Sequence, residues 1–346
     1  MYNENHLQLQ KGCDIINFEI KRKGCVKVVF KKFIKIIGFC TLAFSLTACG
    51  VGKSSNTPQG TNNGETITIE HAMGKTDIKG EPKRVVILTN EGTEALLELG
   101  IKPVGAVQSW TGKPWFKHLE KELEGVENVG LESQVNIEAI LALKPDLIIG
   151  NKMRHEKIYE QLSQMAPTVY SNTLRGEWKN NFEFYAKVLN KEEEGKKIIN
   201  NFDKRVSELS KLADDKLKTQ ISLVRFMPGK TRIYLGDTFA GNILKQIGFA
   251  RPETQRSDEF TLEIGKERLK EADGDVIFYF TYETGDGQGT QREKEWLEEP
   301  MFKSLTAYKN NKVYRVDDAI WNTAGGVKAA NLMLDDLDNL IKTYKF

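Results

Sequence analysis

Residues 191–215 read KEEEGKKIINNFDKRVSELSKLADD, and this stretch decides the fold. Its apolar side chains recur at helical spacing, while charged side chains fill the other positions. The apolar positions are Ile198, Ile199, Phe202, Val206, Leu209 and Leu212. One apolar face opposite a charged face predicts an amphipathic helix from about Lys191 to Asp215. The wider region 180–218 carries no strand signal, so this helix separates what lies before it from what lies after it.

Before the helix, short apolar runs typical of buried strands alternate with helical segments. The predicted strands are Arg84–Leu88, Lys102–Val107, Asp146–Ile149 and Thr168–Tyr170, and Thr66–His71 is predicted to be an edge strand or hairpin arm. The predicted helices are Thr93–Leu99, Ile137–Leu143 and Lys157–Met165. The first of these helices is followed by Gly100, which suits a left-handed cap. Strands alternating with helices predict parallel pairing and an α/β lobe.

The same alternation resumes after the long helix. The predicted strands are Ile221–Phe226, Arg232–Leu235, Val276–Phe280 and Lys312–Val316. The predicted helices are Asn242–Ile247 before Gly248, Ile264–Glu271 and Val327–Tyr344. The sequence therefore predicts two Rossmann-like α/β lobes joined by one long α-helix. We assign residues 66–179 to the N-terminal lobe, 180–218 to the linking helix region and 219–346 to the C-terminal lobe.

The start of the sequence has the character of a secretory leader. Lysines at 27, 31, 32 and 35 precede an apolar stretch at residues 36–48. A bilayer span needs about 20 apolar residues, so this stretch predicts a signal peptide, residues 1–48, rather than a membrane helix. Residues 1–25 are polar and include acidic side chains, so we expect translation to start near Val26 or Val28. Residues 49–65, rich in Gly, Ser, Asn and Thr, are expected to form a flexible tether.

Composition narrows the classes of function. The four cysteines lie at positions 13, 25, 40 and 49, so the folded part is expected to contain no disulfide and no thiolate metal site. The formal net charge is +2, which gives no reason to expect nucleic acid as a partner. Charged residues of both signs make up 28% of the chain, as on a soluble protein surface. We expect a monomer.

This layout resembles the helical-backbone (class III) substrate-binding proteins of ABC importers. Residues 46–49, Leu-Thr-Ala-Cys, resemble the lipobox of bacterial lipoproteins, and NIEAILALKPDLII at 136–149 is similar to the family's most recognisable stretch. EALLELGIKPVG at 94–105 also resembles the family. The tryptophans at 110, 178 and 321 are similar to those of the iron-siderophore branch. The resemblance implies a lipid anchor on Cys49 at the outer face of the cell membrane, as in Gram-positive lipoproteins.

The resemblance also implies roles for particular residues. Glu138 and Glu267 match the glutamates that family members present to arginines of the membrane permease. The ligand of the family binds between the lobes, at loops that follow strands. The candidate ligand contacts are Trp110, Arg154, Arg175, Trp178, Arg225, Tyr282 and Trp321. A ferric siderophore already supplies six oxygen ligands to its iron, so neither a direct metal ligand nor a cofactor is expected.

Arginine and aromatic side chains suit such a ligand. Guanidinium groups bind carboxylate or hydroxamate oxygens in a two-pronged geometry, and aromatic rings cover the body of the ligand. The expected ligand is therefore a citrate-type, citrate-hydroxamate or hydroxamate siderophore, carried to an ABC permease for iron uptake.

Three alternatives remain open at this point. Haem or cobalamin could bind to the same fold. Bare zinc or manganese would need clustered histidines and carboxylates, and only His71, His118 and His155 remain after processing. A surface-anchored hydrolase would be a different class, but the sequence contains no Gly-x-Ser-x-Gly, Ser-x-x-Lys or His-Glu-x-x-His motif.

Overall fold

The computed structural model of the chain describes residues 65–343. Cys49, the predicted leader and all but the last residue of the predicted tether lie outside the described residues. Within the described range, none of the helices has both the length and the apolar character that crossing a membrane requires.

The described chain begins with an antiparallel hairpin and continues into a six-stranded sheet. The hairpin consists of β1 (Thr66–His71) and β2 (Gly74–Lys79). The sheet strands are β3 (Val85–Ile87), β4 (Gly105–Gln108), β5 (Glu127–Leu131), β6 (Gln134–Val135), β7 (Leu147–Asn151) and β8 (Thr168–Ser171). Their order across the sheet is β6-β5-β4-β3-β7-β8, and all neighbours pair in parallel except β5 and β6. The predicted parallel pairing is confirmed for this lobe.

Helices cover this first sheet. They are α1 (Asn90–Glu98), α2 (Ile137–Ala142), α3 (Lys152–His155), α4 (Tyr159–Ser163) and α5 (Trp178–Val188). Helix α1 begins three residues before the prediction because the Thr89 side chain accepts a hydrogen bond from the Gly92 amide and caps the helix there. Gly100 has the predicted left-handed conformation, with φ +75°.

The long linking helix is confirmed as α6 (Glu192–Ala213). Its buried residues include Ile199, Phe202, Val206 and Leu209, which are four of the six predicted apolar positions. Leu212, by contrast, is exposed.

The second lobe is built on a five-stranded sheet. Its strands are β9 (Ile221–Met227), β10 (Lys230–Tyr234), β11 (Thr261–Glu263), β12 (Val276–Thr281) and β13 (Val313–Arg315), in the order β11-β10-β9-β12-β13. Strands β9, β12 and β13 are parallel, whereas β10 is antiparallel to both neighbours. The expectation of parallel pairing is therefore wrong at β10. Only Pro228 and Gly229 separate β9 from β10, and so short a connection can form only a hairpin.

The helices of the second lobe are α7 (Phe239–Ile247), α8 (Gln288–Leu297), α9 (Pro300–Lys303), α10 (Thr306–Lys309) and α11 (Val327–Thr343). Gly248 ends α7 at φ +102°, as predicted. The predicted helix Ile264–Glu271 is instead a short 3₁₀ helix, Lys266–Ala272. Ile264 still belongs to the sheet, because its amide donates to the Thr231 carbonyl at 3.0 Å.

Both lobes are packed onto the linking helix. Trp178 of α5 contacts Phe202 of α6 edge to face, with ring centroids 4.9 Å apart, and Phe239 of α7 at 6.1 Å. Helix α11 returns from the second lobe to lie against α1 and α6. There the Ala329 amide donates to Glu94 Oε2 at 2.9 Å. One apolar core therefore runs from the first lobe through α6 into the second.

Candidate ligand-binding site

A cleft of about 420 Å³ opens between the two sheets. Five of the seven predicted contact residues line it, namely Trp110, Arg154, Arg175, Arg225 and Tyr282. Trp110, Arg154 and Tyr282 follow the carboxyl ends of strands β4, β7 and β12. Strands β4 and β7 belong to the first sheet and β12 to the second. These side chains, far apart in sequence, therefore meet where the carboxyl ends of strands from both sheets line one cleft.

On the first lobe, Arg154 lies beside Trp110. The guanidinium carbon is 5.8 Å from the centre of the Trp110 ring, and Nε donates to Glu132 Oε1 at 3.1 Å. The Arg154 side chain is 41% exposed, so its terminal nitrogens are available to a ligand. The buried carboxylate of Glu132 therefore orients a cation at the wall of the cleft.

Arg175 reaches from the first lobe to the second. Its guanidinium lies 4.5 Å from the centre of the Phe260 ring, and Nη1 donates to Asp237 Oδ2 at 3.4 Å. Its backbone adopts φ +77°, an uncommon conformation for a residue with a side chain, so the surrounding structure must hold it there. Among the predicted contacts that line the cleft, Arg175 therefore reaches from the first lobe to side chains of the second lobe.

Arg225 lies at the floor of the cleft and is 6% exposed. Nε and Nη2 donate to the two carboxylate oxygens of Asp318 at 2.6 and 2.9 Å, and Nη1 donates to the Tyr234 hydroxyl at 2.9 Å. Burial alone lowers the pKa of Arg225, but the attraction of Asp318 and the contact with Tyr234 outweigh it and raise the pKa. Arg225 is therefore a fixed cation.

Tyr282 covers Arg225, with the guanidinium 4.9 Å from the centre of its ring. Burial raises the pKa of Tyr282, against an opposing effect of Arg225, so the hydroxyl stays protonated at neutral pH. The second lobe thus presents an aromatic face backed by a permanent positive charge.

Trp178 and Trp321 do not line the cleft, unlike the other five predicted contacts. Trp178 is 1% exposed and lies in the core between the lobes. Trp321 is fully buried, packs against Phe278 at 4.9 Å and donates from Nε1 to Asp336 at 2.8 Å. Both residues follow a strand, β8 or β13, and so lie near the cleft in sequence terms. The Trp178 side chain instead packs against α6 and α7, and the Trp321 side chain contacts Asp336 of α11.

Two buried carboxyl groups in the cleft were missed by sequence reasoning. Glu91 and Glu132 both line it. Glu91 Oε1 accepts from Asn181 Nδ2 at 2.7 Å and from the Tyr185 hydroxyl at 2.8 Å. Burial raises the pKa of Glu91 to about 8, and the neighbouring charge of Glu132 adds to this shift. Glu91 lies just after strand β3, so the rule that strand ends bind ligands would have found it.

Glu138 and Glu267 are both exposed, one on each lobe. Glu138 lies in the first turn of α2, and Glu267 in the 3₁₀ helix Lys266–Ala272. Their role in docking stays a prediction.

The three histidines have separate environments. His71 Nε2 contacts the Thr76 hydroxyl, His118 contacts Glu94, and His155 lies between the Asn151 amide and the Glu132 carbonyl. Between residues 65 and 343, no three side chains of His, Cys, Asp or Glu are gathered as a metal site would require.

Comparison with known proteins shows the family of the chain. Residues 85–320 match the model of the periplasmic binding protein family. A probable siderophore-binding lipoprotein of Bacillus subtilis, YfiY, is 48% identical over 318 residues, which cover 89% of this chain and 98% of that protein. An Fe(3+)-citrate-binding protein of the same organism, YfmC, is 30% identical over 315 residues, which cover 88% of this chain and 96% of that protein.

A solved structure agrees with these sequence matches. Staphylococcus aureus SirA complexed with staphyloferrin B superposes with a TM-score of 0.75 at 37% identity, covering 80% of this chain and 99% of SirA. The chain belongs to the periplasmic binding protein family and is a substrate-binding protein, not an enzyme.

Proposed function

We propose that the cleft binds a ferric siderophore, which the protein delivers to an ABC permease for iron uptake. The observation that carries this proposal is the lining of the cleft. Arginines from both lobes, Arg154, Arg175, Arg225 and Arg232, meet there beside the rings of Trp110, Phe260 and Tyr282.

This lining suits a metal complex whose iron is already fully coordinated. Such a ligand needs contacts at its periphery and no protein atom on the metal. A hydrogen bond to a charged group contributes about 1.5–3 kcal/mol, so each arginine contact would tighten binding by roughly 10- to 100-fold. The proposed contacts are Trp110, Arg154, Arg175, Arg225 and Tyr282; Trp178 and Trp321 are left out because they are core residues.

The cations favour a polycarboxylate ligand of the citrate type. Arg154 and Arg175 are each about 40% exposed, and each makes a single hydrogen bond to a carboxylate on one nitrogen. The terminal nitrogens that remain suit the paired oxygens of carboxylates. The relatives that bind Fe(3+)-citrate and staphyloferrin B support this choice.

The proposal extends to where the protein acts. Cys49 would carry the lipid anchor and residues 49–65 the tether, and the lipoprotein name of the Bacillus subtilis relative supports this assignment. Glu138 and Glu267 would then meet the permease repeatedly at high local concentration. The protein would work as a monomer at the outer face of the membrane.

Fluorescence titration tests the ligand class. We expect ferric citrate or iron-loaded staphyloferrin B to quench tryptophan emission at submicromolar concentration, and a hydroxamate such as ferrioxamine to bind more weakly because it carries fewer anionic oxygens. Haem and cobalamin belong in the same panel. Tight binding of either one, without binding of any ferric siderophore, would contradict the proposal.

A further inference from the structure

We propose that Glu91 contacts the ligand as a neutral carboxylic acid, donating a hydrogen bond from Oε2 to an oxygen of the anionic complex. This inference rests on the proposed function, because it assumes an anionic ligand in the cleft.

The geometry assigns different tasks to the two oxygens of Glu91. Oε1 accepts from Asn181 Nδ2 and from the Tyr185 hydroxyl. Oε2 has no hydrogen-bond partner among residues 65–343, and the side chain lines the cleft. A proton on Oε2 leaves both bonds to Oε1 intact, so the acid form fits the site without any rearrangement.

The surroundings of Glu91 favour the neutral form. The residue is 7% exposed, and burial raises its pKa to about 8. Two further carboxylates lie nearby: Glu132, which accepts from Arg154, and Glu94, which is 2.6 Å from His118. With a pKa near 8, roughly nine molecules in ten carry the proton at pH 7.

Other charged and titratable groups lie around Glu91 in the cleft. Tyr185 on α5 donates to Glu91, and His155 on α3 contacts the Glu132 carbonyl. The remaining groups line the same cleft and are Arg154, Arg175, Arg225, Arg232 and Tyr282. Burial raises the pKa of Tyr185, so its hydroxyl stays a donor, and burial lowers the pKa of His155, which stays neutral. Arg225 is already paired with Asp318. None of these cations forms an ion pair with Glu91 within the described residues.

A purely structural role would predict a different behaviour. If Glu91 only held Asn181 and Tyr185 in place, its protonation would not be linked to the ligand. As a ligand contact, ionised Glu91 would place a buried negative charge against an anionic complex, whereas the neutral acid attracts it. Ligand affinity must then fall as Glu91 loses its proton.

The first test compares the wild-type protein with Glu91→Gln, using ferric citrate and iron-loaded staphyloferrin B as probes from pH 6.5 to 9. The amide of Gln can keep both the acceptor and the donor at every pH. If only the protonated form binds, the wild-type dissociation constant rises about tenfold between pH 7 and pH 9 relative to that of Glu91→Gln. Dividing the wild-type dissociation constant by that of Glu91→Gln at each pH cancels any effect of pH on the probe itself. Exposed Glu120→Gln is the matched control and should follow the wild type.

The second test measures protons directly, by calorimetric titration in two buffers of different ionisation enthalpy. At pH 8 the wild type should take up about half a proton more per bound ligand than Glu91→Gln. Circular dichroism checks that the variant is folded. If the variant does not fold, the test uses only the number of protons that the wild type takes up per bound ligand near pH 8. A value below about a tenth of a proton overturns the inference.

The outcomes separate the two proposals. If the wild type binds a probe but the affinity ratio to Glu91→Gln stays constant from pH 7 to 9, the role of Glu91 is overturned and the proposed function stands. If the wild type binds neither probe at pH 6.5, the proposed function is overturned, and this inference with it.

Discussion

Arg225 and Asp318 form a two-pronged ion pair at the floor of the cleft, with nitrogen–oxygen distances of 2.6 and 2.9 Å. Both side chains are more than nine-tenths buried. Together with the bond to Tyr234, the pair occupies three of the five N–H groups of Arg225 and fixes the guanidinium before any ligand arrives. Binding therefore does not have to order this side chain, which lowers the entropic cost of association.

Removing one partner of this pair should destabilise the fold. Arg225→Ala leaves the carboxylate of Asp318 buried without its main partner, and broken buried pairs typically cost about 3–5 kcal/mol. Urea denaturation should show this loss. Arg232→Ala is the control, because its contact with exposed Glu263 is 3.4 Å long and should contribute less than about 1 kcal/mol. Equal losses in the two variants would contradict the assignment.

Arg175→Ala should weaken ligand binding more than it weakens the fold. The side chain is 40% exposed, and its bond to Asp237 is long. Loss of one charge-assisted contact predicts a roughly 10- to 100-fold higher dissociation constant in the fluorescence titration. Lys204→Ala, an exposed cation on α6, should bind like the wild type. Wild-type affinity in Arg175→Ala would remove this residue from the proposed site.

Trp110 should report ligand binding more strongly than the buried tryptophans do. It lines the cleft beside Arg154, whereas Trp178 and Trp321 lie in the core. Trp110→Phe is expected to remove a larger share of the ligand-induced quenching than Trp321→Phe. A larger effect of Trp321→Phe would instead place the ligand nearer to α11.

Glu138→Ala combined with Glu267→Ala should abolish iron uptake by cells while the purified protein keeps its affinity for the ligand. Both residues are exposed and neither lines the cleft. Exposed ion pairs contribute only about 0.2–1 kcal/mol, so their expected task is to select and orient the permease. Glu208→Ala, exposed on α6, is the control for charge. Normal uptake by the double variant would refute the docking role.

Glu91 should also make stability depend on pH. Its pKa is raised from 4.5 to about 8 in the folded protein, so the folded state holds this proton more tightly than the unfolded state. The free energy of unfolding should therefore fall as pH rises from about 4.5 to 8, and then level off. The free energy of unfolding of Glu91→Gln should not show this part of the decline. Between pH 5 and pH 8 we expect it to fall less than that of the wild type by on the order of a few kcal/mol, as measured by urea denaturation. Parallel curves for the two proteins would contradict the raised pKa.

Periodicity predicted the linking helix because its apolar face recurs over 22 residues, and short β-branched runs predicted the buried parallel strands. It missed strand β5, since the run Glu127–Leu131 mixes exposed and buried residues and holds Gly130 at φ +94°. It also missed the antiparallel setting of β10, because a two-residue turn leaves a weak signal in the sequence.

The sequence predicts part of the site, because a residue that directly follows a strand lies near the cleft. This rule found the arginines, but it does not say which way a side chain turns. Trp178 faces the core because α5 is pressed against α6 by its apolar face. Glu91 went unnoticed because it lies between the predicted strand Arg84–Leu88 and the predicted helix Thr93–Leu99, where a glutamate is usually solvated.

The hydrogen bond from the Ala329 amide to Glu94 has a consequence for the order of folding. Helix α1 of the first lobe is covered by α11, the last helix of the chain. Until α11 packs against α1, an apolar surface of α1 and the carboxylate of Glu94 lack their covering. The first lobe therefore cannot complete its packing before α11, which is far from it in sequence, has docked.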